Sequence, residues 1–150
     1  MLAPGGALGQ LPWPARLAGA AAALALYRAT VRAGAVFLPL DVTSEESVAE
    51  FAQAAISAGV DSLVNNAGVF TLGGTEALAL DDLDRMLAVN VRSVFVASQE
   101  AARHMNEGGR IIHIGSTNAE RVPFGGAAVY AMIKSALIVL TKGMARDLGP

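Results

Sequence analysis

Two short apolar segments on either side of a long helical pattern do most to limit the folds open to this chain. Residues 61–65 and 110–115 each read as a strand of a few residues that breaks into a small polar turn, Asn66-Ala67-Gly68 after the first and Ser116-Thr117 after the second. Between them, residues 81–105 read as helix, with Asp81, Asp82 and Asp84 in its first turn, where the helix dipole favours acids, and Glu107-Gly108-Gly109 closing it. Parallel strands need a crossover of about a dozen residues or more, which such a helix supplies. The expected organisation is α/β, and in open α/β sheets ligand chemistry collects at the ends of the strands.

A second feature lies further on. Residues 126–148 read as a helix carrying Tyr130 and Lys134 on one side, with Ala136, Leu137, Leu140 and Met144 for burial. At about 3.6 residues per turn, positions four apart share a face, so the Tyr130 phenol and the Lys134 ammonium are neighbours. A free tyrosine, with a pKa of about 10, is a poor base at neutral pH, and a nearby cation favours the phenolate. By itself the pair also fits an ordinary solvated helix surface. Its setting decides for chemistry: the strand of residues 110–115 ends in Ser116, and the strand of residues 61–65 ends in Asn66-Ala67-Gly68.

Those elements, in that order, resemble the short-chain dehydrogenase/reductase family over roughly residues 35–150. The family's Asn-Asn-Ala-Gly turn, strand-end Ser, Tyr-x-x-x-Lys pair and mid-helix Asn correspond to residues 65–68, Ser116, Tyr130, Lys134 and Asn90. The resemblance implies a doubly wound, mostly parallel, Rossmann-like sheet, here incomplete, in a single partial domain over residues 1–150. It implies catalytic roles for Asn90, Ser116, Tyr130 and Lys134. Many family members place the Ser thirteen positions before the Tyr; here that position is Thr117, and Ser116 is fourteen before. Ser116 directly follows the Ile-Gly that ends the strand and is preferred, with Thr117 in reserve. Asn90 is expected at a local kink, its carbonyl holding a water of the proton relay.

The start of the chain departs from the family pattern. Only three residues precede Pro4-Gly5-Gly6-Ala7-Leu8-Gly9-Gln10-Leu11. Gly5 and Gly9 fit the family's pyrophosphate loop, but Pro4 stands for its Thr and Leu11 for its last Gly, and Pro12 and Pro14 interrupt the helix that should follow. Residues 15–28 resemble the end of the first helix and the second strand, and Arg28 is the candidate for facing the 2′-phosphate of NADP. A secretory signal is the rival reading of the apolar run 17–27, with Ala33-Gly34-Ala35 as a cleavage site, but Arg28 and Arg32 lie between them. Residues 30–34 are too few for a crossover helix, so residues 1–34 read as degraded or irregular.

Residues 35–41 form a candidate third strand, suited to an edge by Pro39, and Asp41-Val42 resembles the family's pair beside the adenine ring. Thr43 and Glu46 fit a capping box for a helix over residues 44–58, whose apolar face is Val48, Phe51, Ala52, Ala55 and Ile56, with Gly59 ending it. Asn66, Ala67 and Gly68 are expected to stay small beside the cofactor. The loop of residues 69–75 is apolar and glycine-bearing, suited to flank a substrate pocket. His104 and His113 receive structural placements.

Composition narrows the partners. A net charge of −2 leaves no footprint for nucleic acid, and the absence of cysteine removes disulfides and thiolate metal sites, which fits a cytoplasmic protein. No metal site is expected, and no apolar run approaches the roughly 20 residues of a membrane span. The resemblance implies reversible hydride transfer between a small ketone or secondary alcohol and NADP or NAD, NADP preferred, with Gly5, Gly9, Arg28, Asp41, Val42, Asn66, Ala67, Gly68, Tyr130 and Lys134 at the cofactor. It also implies a homo-oligomer formed through the two long helices. The alternative is a truncated, non-catalytic fragment of the family, an association module or an unstable remnant, because the family's central first strand has no evident residues here.

Overall fold

The computed structural model describes residues 40–57, 59 and 61–149. Gly5 and Gly9 of the expected glycine loop, residues 15–28 with Arg28, and residues 35–39 of the expected third strand lie outside the described residues.

The first helix, α1, spans Glu45–Ser57, and its cap differs from the expected one. Thr43 does not pair with Glu46; its hydroxyl donates to the Asp41 carboxylate at 2.7 Å and its N–H donates to the same oxygen at 2.9 Å. The cap is Ser44, whose Oγ accepts the Ser47 N–H at 3.2 Å, while Ser47 Oγ accepts the Asp41 N–H at 2.9 Å. Leu40 and Asp41 are accordingly not strand. The Asp41 N–H is engaged by Ser47 and its carbonyl accepts from Ser44 N–H at 3.1 Å, so a helix-entry turn has taken the groups that a strand would pair. Val48 is buried and Phe51, Ala52 and Ala55 are half-buried, as the periodicity predicts, while the Ile56 side chain lies outside the described ones. Gly59 follows at φ +76°, the left-handed conformation that ends a helix.

Strands β1, Ser62–Asn65, and β2, Arg110–His113, pair in parallel, with Ser62 opposite Arg110 and Asn65 opposite His113. The Ile114 N–H donates to the Asn65 carbonyl at 3.0 Å, which carries the pairing towards the predicted end at residue 115. Leu63, Asn65, Ile111 and His113 are half-buried, and the alternate residues Ser62, Val64, Arg110 and Ile112 are exposed. This mixed α/β arrangement with a small parallel sheet is Rossmann-like and incomplete.

The crossover between the strands is one helical rod in three parts: α2, Leu80–Leu87, a π-helical turn, Ala88–Arg92, and α3, Ser93–His104. Its limits lie within a residue of the predicted 81–105. Asp81 and Asp82 occupy the first turn, and Asp84 falls beyond it because the helix begins one residue earlier. At the π turn the Ser93 N–H reaches back five residues to the Ala88 carbonyl, and the Ser93 hydroxyl donates to the Val89 carbonyl at 2.5 Å.

After β2 a 3-10 turn, Thr117–Ala119, leads to α4, Ala128–Asp147. Its buried residues are Ala131, Ile133, Lys134 and Leu137. Ala136, expected inside, is exposed, and Leu140 and Met144 are half-buried. Each residue turns the helix by about 100°, which carries Ala136 off the stripe that Leu137 occupies. Contrary to the expectation that no segment would reach a span, α4 is long and apolar enough to cross a membrane by length and composition. It nevertheless buries Lys134 and packs against α2 and the π turn, where Met86, Ala131, Ile133 and Leu137 are among the buried residues. Burying a side chain the size of Met86, Ile133 or Leu137 contributes about 1.5–3 kcal/mol.

Candidate active site

Helix α4 presents Tyr130 and Lys134 one turn apart, and the Lys134 Nζ lies 5.9 Å from the centre of the Tyr130 ring. Lys134 is 7% exposed, and its ammonium donates to the carbonyl of Ile114 at 2.8 Å. That bond ties the helix to the chain just past β2, two residues before Ser116. Burial pushes the Lys134 amine below its ordinary value, because the charged form loses solvation. The single bond to Ile114 leaves two of the three ammonium hydrogens for other acceptors.

Ser116 is extended, and its Oγ accepts the N–H of Asn118 at 3.2 Å, capping the 3-10 turn. The Ser135 hydroxyl of α4 donates to the Ala119 carbonyl at 2.5 Å, so that turn is held against the helix that carries Tyr130. Ser116 is half-buried and Thr117 exposed.

Asn90 does the joining on the other side. It is 1% exposed, and its amide is engaged throughout: Oδ1 accepts the Val69 N–H at 3.1 Å, while Nδ2 donates to the carbonyls of Val69 and Met86, each at 2.9 Å. The Asn90 of the predicted kink thus clamps the loop that leaves β1. A β-carbon at Gly68 would stand 2.8 Å from Asn90 Oδ1, so Gly68 must be small for the sake of this amide, a reason additional to the one expected from sequence. Beside the clamp, the Phe70 ring meets the Tyr130 ring edge-on, with centroids 4.5 Å apart and planes at 73°.

Asn66 and Ala67 are exposed at the C-terminal end of β1. With Val42 they line a largely apolar groove of about 540 Å³ between α1, β1 and α3, which includes none of Ser116, Tyr130 and Lys134. Asp41 is exposed, and its bonds from the Thr43 side chain and N–H hold its carboxyl below the usual range. The structure therefore sets Lys134 beside Tyr130, ties their helix through Ile114 and Ala119 to the segment that carries Ser116, and packs Phe70, next to the Val69 that Asn90 clamps, on Tyr130. Of the described cofactor candidates, Val42, Asn66 and Ala67 line that groove, Gly68 lies against Asn90, and Tyr130 and Lys134 stand on α4.

Three features escaped the sequence reading. The Ile114 carbonyl as a lysine anchor has no sequence signal, since any residue offers a carbonyl. Phe70 could have been noticed as a large aromatic two residues beyond the Ala67-Gly68 turn. The third is a polar network beneath the sheet, in which the Asn65 amide donates to Ser98 Oγ at 3.1 Å and lies 3.5 Å from His113 Nδ1. Burial there lowers the pKa of His113. His104 bonds the Glu100 carbonyl within its own helix at 2.9 Å. Among the described residues, no group of His and acidic side chains could hold a metal.

A family model described as enoyl-(acyl carrier protein) reductase matches residues 15–150. A short-chain dehydrogenase/reductase from Serratia marcescens BCRC 10948 is 76% identical in sequence, with a TM-score of 0.73 over 75% of this chain and 53% of that one. A short-chain dehydrogenase from Burkholderia cenocepacia J2315, solved in complex with NADP, is 50% identical, with a TM-score of 0.72 over 75% of this chain and 47% of that one. The cyclic-di-GMP-binding biofilm dispersal mediator protein of Escherichia coli K12 is 49% identical over 94 residues, 63% of this chain and 40% of that one. The chain spans about half the length of the relatives it matches.

Proposed function

The chain belongs to the short-chain dehydrogenase/reductase family, and on that premise we propose that it is part of an NAD(P)(H)-dependent oxidoreductase that interconverts a ketone and a secondary alcohol. The observation that carries the reading is the placement of Lys134, 5.9 Å from the Tyr130 ring and bonded to Ile114 two residues before Ser116.

A nicotinamide dinucleotide fits the donor chemistry on the described side of the site. The two free Lys134 hydrogens suit ribose hydroxyls, the exposed Asn66 and Ala67 with Gly68 offer backbone and amide groups at the strand end, and Asp41 and Val42 are candidates for the adenine side. Gly5, Gly9 and Arg28, the remaining cofactor candidates, lie outside the described residues. Relatives solved with NADP or NADPH, and Arg28 in the sequence, favour NADP over NAD. When bound, the reduced cofactor supplies hydride to the carbonyl carbon.

The chain's own residues handle the oxygen. Ser116 keeps its hydroxyl proton while its Oγ accepts from Asn118, so it can donate to the carbonyl oxygen as negative charge develops. Tyr130 gives that oxygen its proton, and the Lys134 ammonium steadies the charge left behind. The Asn90 side chain is committed to Val69 and Met86, which leaves its main-chain carbonyl as the group to hold a relay water.

The test is titration of the purified protein with NADPH and NADH, followed by an assay of ketone reduction. Saturable binding with turnover that vanishes in Tyr130→Phe supports the enzyme; turnover unchanged by that substitution removes it. A second reading, a non-catalytic association module, is favoured by one observation: Val64, Ile112 and Ile114 stand 52%, 47% and 42% exposed along one face of the strands. A folded protein that binds neither cofactor would support it.

A further inference from the structure

The turn that enters α1 is bonded within itself and to the crossover. The Thr43 hydroxyl and N–H both donate to the Asp41 carboxylate, at 2.7 and 2.9 Å, and the Asp41 N–H donates to Ser47 Oγ at 2.9 Å. The Ser44 N–H donates to the Asp41 carbonyl at 3.1 Å. Those bonds fold residues 41–47 together without fixing where the turn sits. Arg92, the last residue of the π-helical turn, does fix it: its guanidinium donates to the Thr43 carbonyl at 3.4 Å and pairs with the Glu45 carboxylate at the start of α1. Each partner takes a different nitrogen of the planar fork, so the turn is held in direction as well as position.

The π turn therefore makes two attachments. Asn90 clamps Val69, whose neighbour Phe70 packs on Tyr130, and Arg92, two residues on, holds the turn that carries Asp41 and Val42. Val42 lines the groove with Asn66 and Ala67, whereas Arg92 is not among the lining residues. The side chains of Arg92 and Glu45 are 52% and 67% exposed, and an ion pair so exposed contributes little to folding stability. Its effect falls on order instead. A loop already held when a ligand arrives spares the ligand the cost of ordering it.

We propose that Arg92 is a positioning residue for the dinucleotide: by holding Thr43 and Glu45 it fixes the Asp41-Val42 turn against the π-helical turn and preorganises the adenine side of the site. The inference rests on the oxidoreductase reading above and adds to it a residue outside the groove.

The test compares the full chain with Arg92→Ala, Arg92→Lys and Glu45→Ala, using adenosine 2′,5′-bisphosphate as a probe of the adenine side alone, with AMP in its place should NADH bind tighter than NADPH. Calorimetry is expected to show Arg92→Ala weakening the fragment about three- to fivefold. The KM for the whole cofactor rises in step, while kcat for ketone reduction changes by less than about twofold. Arg92→Lys, which keeps the charge without the fork, recovers part of the affinity. Loss of a positive charge would by itself weaken an anionic ligand, so Glu45→Ala decides between the two causes. It removes a negative charge and through charge alone would tighten binding, whereas through the lost contact to Arg92 it weakens it. Thermal melting checks that each variant is folded. Equal affinity for the fragment in the unsubstituted protein and Arg92→Ala, or unchanged or tighter binding to Glu45→Ala, overturns the role of Arg92 and leaves the oxidoreductase reading intact. Failure of the folded, unsubstituted protein to bind either NADPH or NADH removes the oxidoreductase reading, and this inference with it.

Discussion

Asn90 holds Val69 by both of its backbone groups, accepting its N–H at 3.1 Å and donating to its carbonyl at 2.9 Å. A π-helical turn in the crossover helix thereby holds the loop whose Phe70 packs on Tyr130. The third bond, to the Met86 carbonyl, completes the amide, so no hydrogen on it is left unused.

Removal of this amide strands several groups at once. Asn90→Ala leaves the Val69 N–H and two carbonyls without their partner in a buried place, at about 1–3 kcal/mol for each group that water cannot reach. Chemical denaturation is expected to report a loss of about 2–4 kcal/mol in total. Asn90→Asp replaces a donor of two hydrogens with an acceptor and should be no milder. A variant as stable as the parent would contradict the clamp.

Gly68 tests the same clamp from the opposite side. In Gly68→Ala the new methyl meets Asn90 Oδ1 at 2.8 Å, too close for ordinary contact. The amide must shift and its bonds to Val69 lengthen, for an expected cost of about 1–3 kcal/mol. Gly74→Ala is the control, since a β-carbon there meets nothing within 4 Å. Equal stabilities for the two variants would show that the contact is relieved without cost.

The phenol and amine should separate in their effects. Tyr130→Phe removes the transferable proton and is expected to lower ketone reduction by at least about a hundredfold, with cofactor affinity retained. Lys134→Met removes both the cation and two candidate hydrogens for the cofactor, so turnover and cofactor affinity should fall together. Steady-state kinetics beside fluorescence titration of NADPH distinguish them.

His113 gives the protein a dependence on mild acid. Burial lowers its pKa from the ordinary 6.5, so the folded state holds the ring neutral while the unfolded chain takes up a proton first. Stability is therefore full above that value and falls as the pH drops through the interval between 6.5 and the lowered folded value. Protonation also turns Nδ1 from acceptor to donor opposite the Asn65 amide, 3.5 Å away. The melting temperature is expected to fall from about pH 7 to about pH 5, with a flatter profile in His113→Gln. Asp41, whose carboxyl is held below 3.8, acts in a separate and more acidic window.

Burial of Lys134 acts in the same sense, in a separate and more alkaline window. Its lowered pKa means that the unfolded chain holds its proton longer, so the folded state gains stability as the pH rises from the lowered folded value towards 10.5. Substitution by Met should remove that alkaline rise in a pH series of melting temperatures.

Much of this arrangement was legible beforehand, and the particulars show why. The helix limits followed from periodicity and end signals, which are local: residues 81–105 became a rod from Leu80 to His104, and residues 126–148 became Ala128–Asp147. The entry to α1 was misread by one residue because Thr43, Ser44 and Ser47 all carry hydroxyls. Which of them caps depends on where the Asp41 carboxylate lies. Ala136 was misplaced because a stripe of small and apolar residues does not say which edge of it meets the neighbouring helix.

The amino-acid order by itself determined the elements, the parallel pairing implied by a helical crossover, and the residue types that can move a proton, because each depends on neighbours a few positions away. Only the tertiary structure decided that Asn90 reaches Val69, that Lys134 anchors on the Ile114 carbonyl, and that Phe70 rests on Tyr130. Those contacts join residues 20 to 60 positions apart in the chain, and the one to Ile114 runs to a backbone carbonyl, a group common to every residue. What selects among such partners is the packing of α4 against the crossover, and no local pattern encodes it.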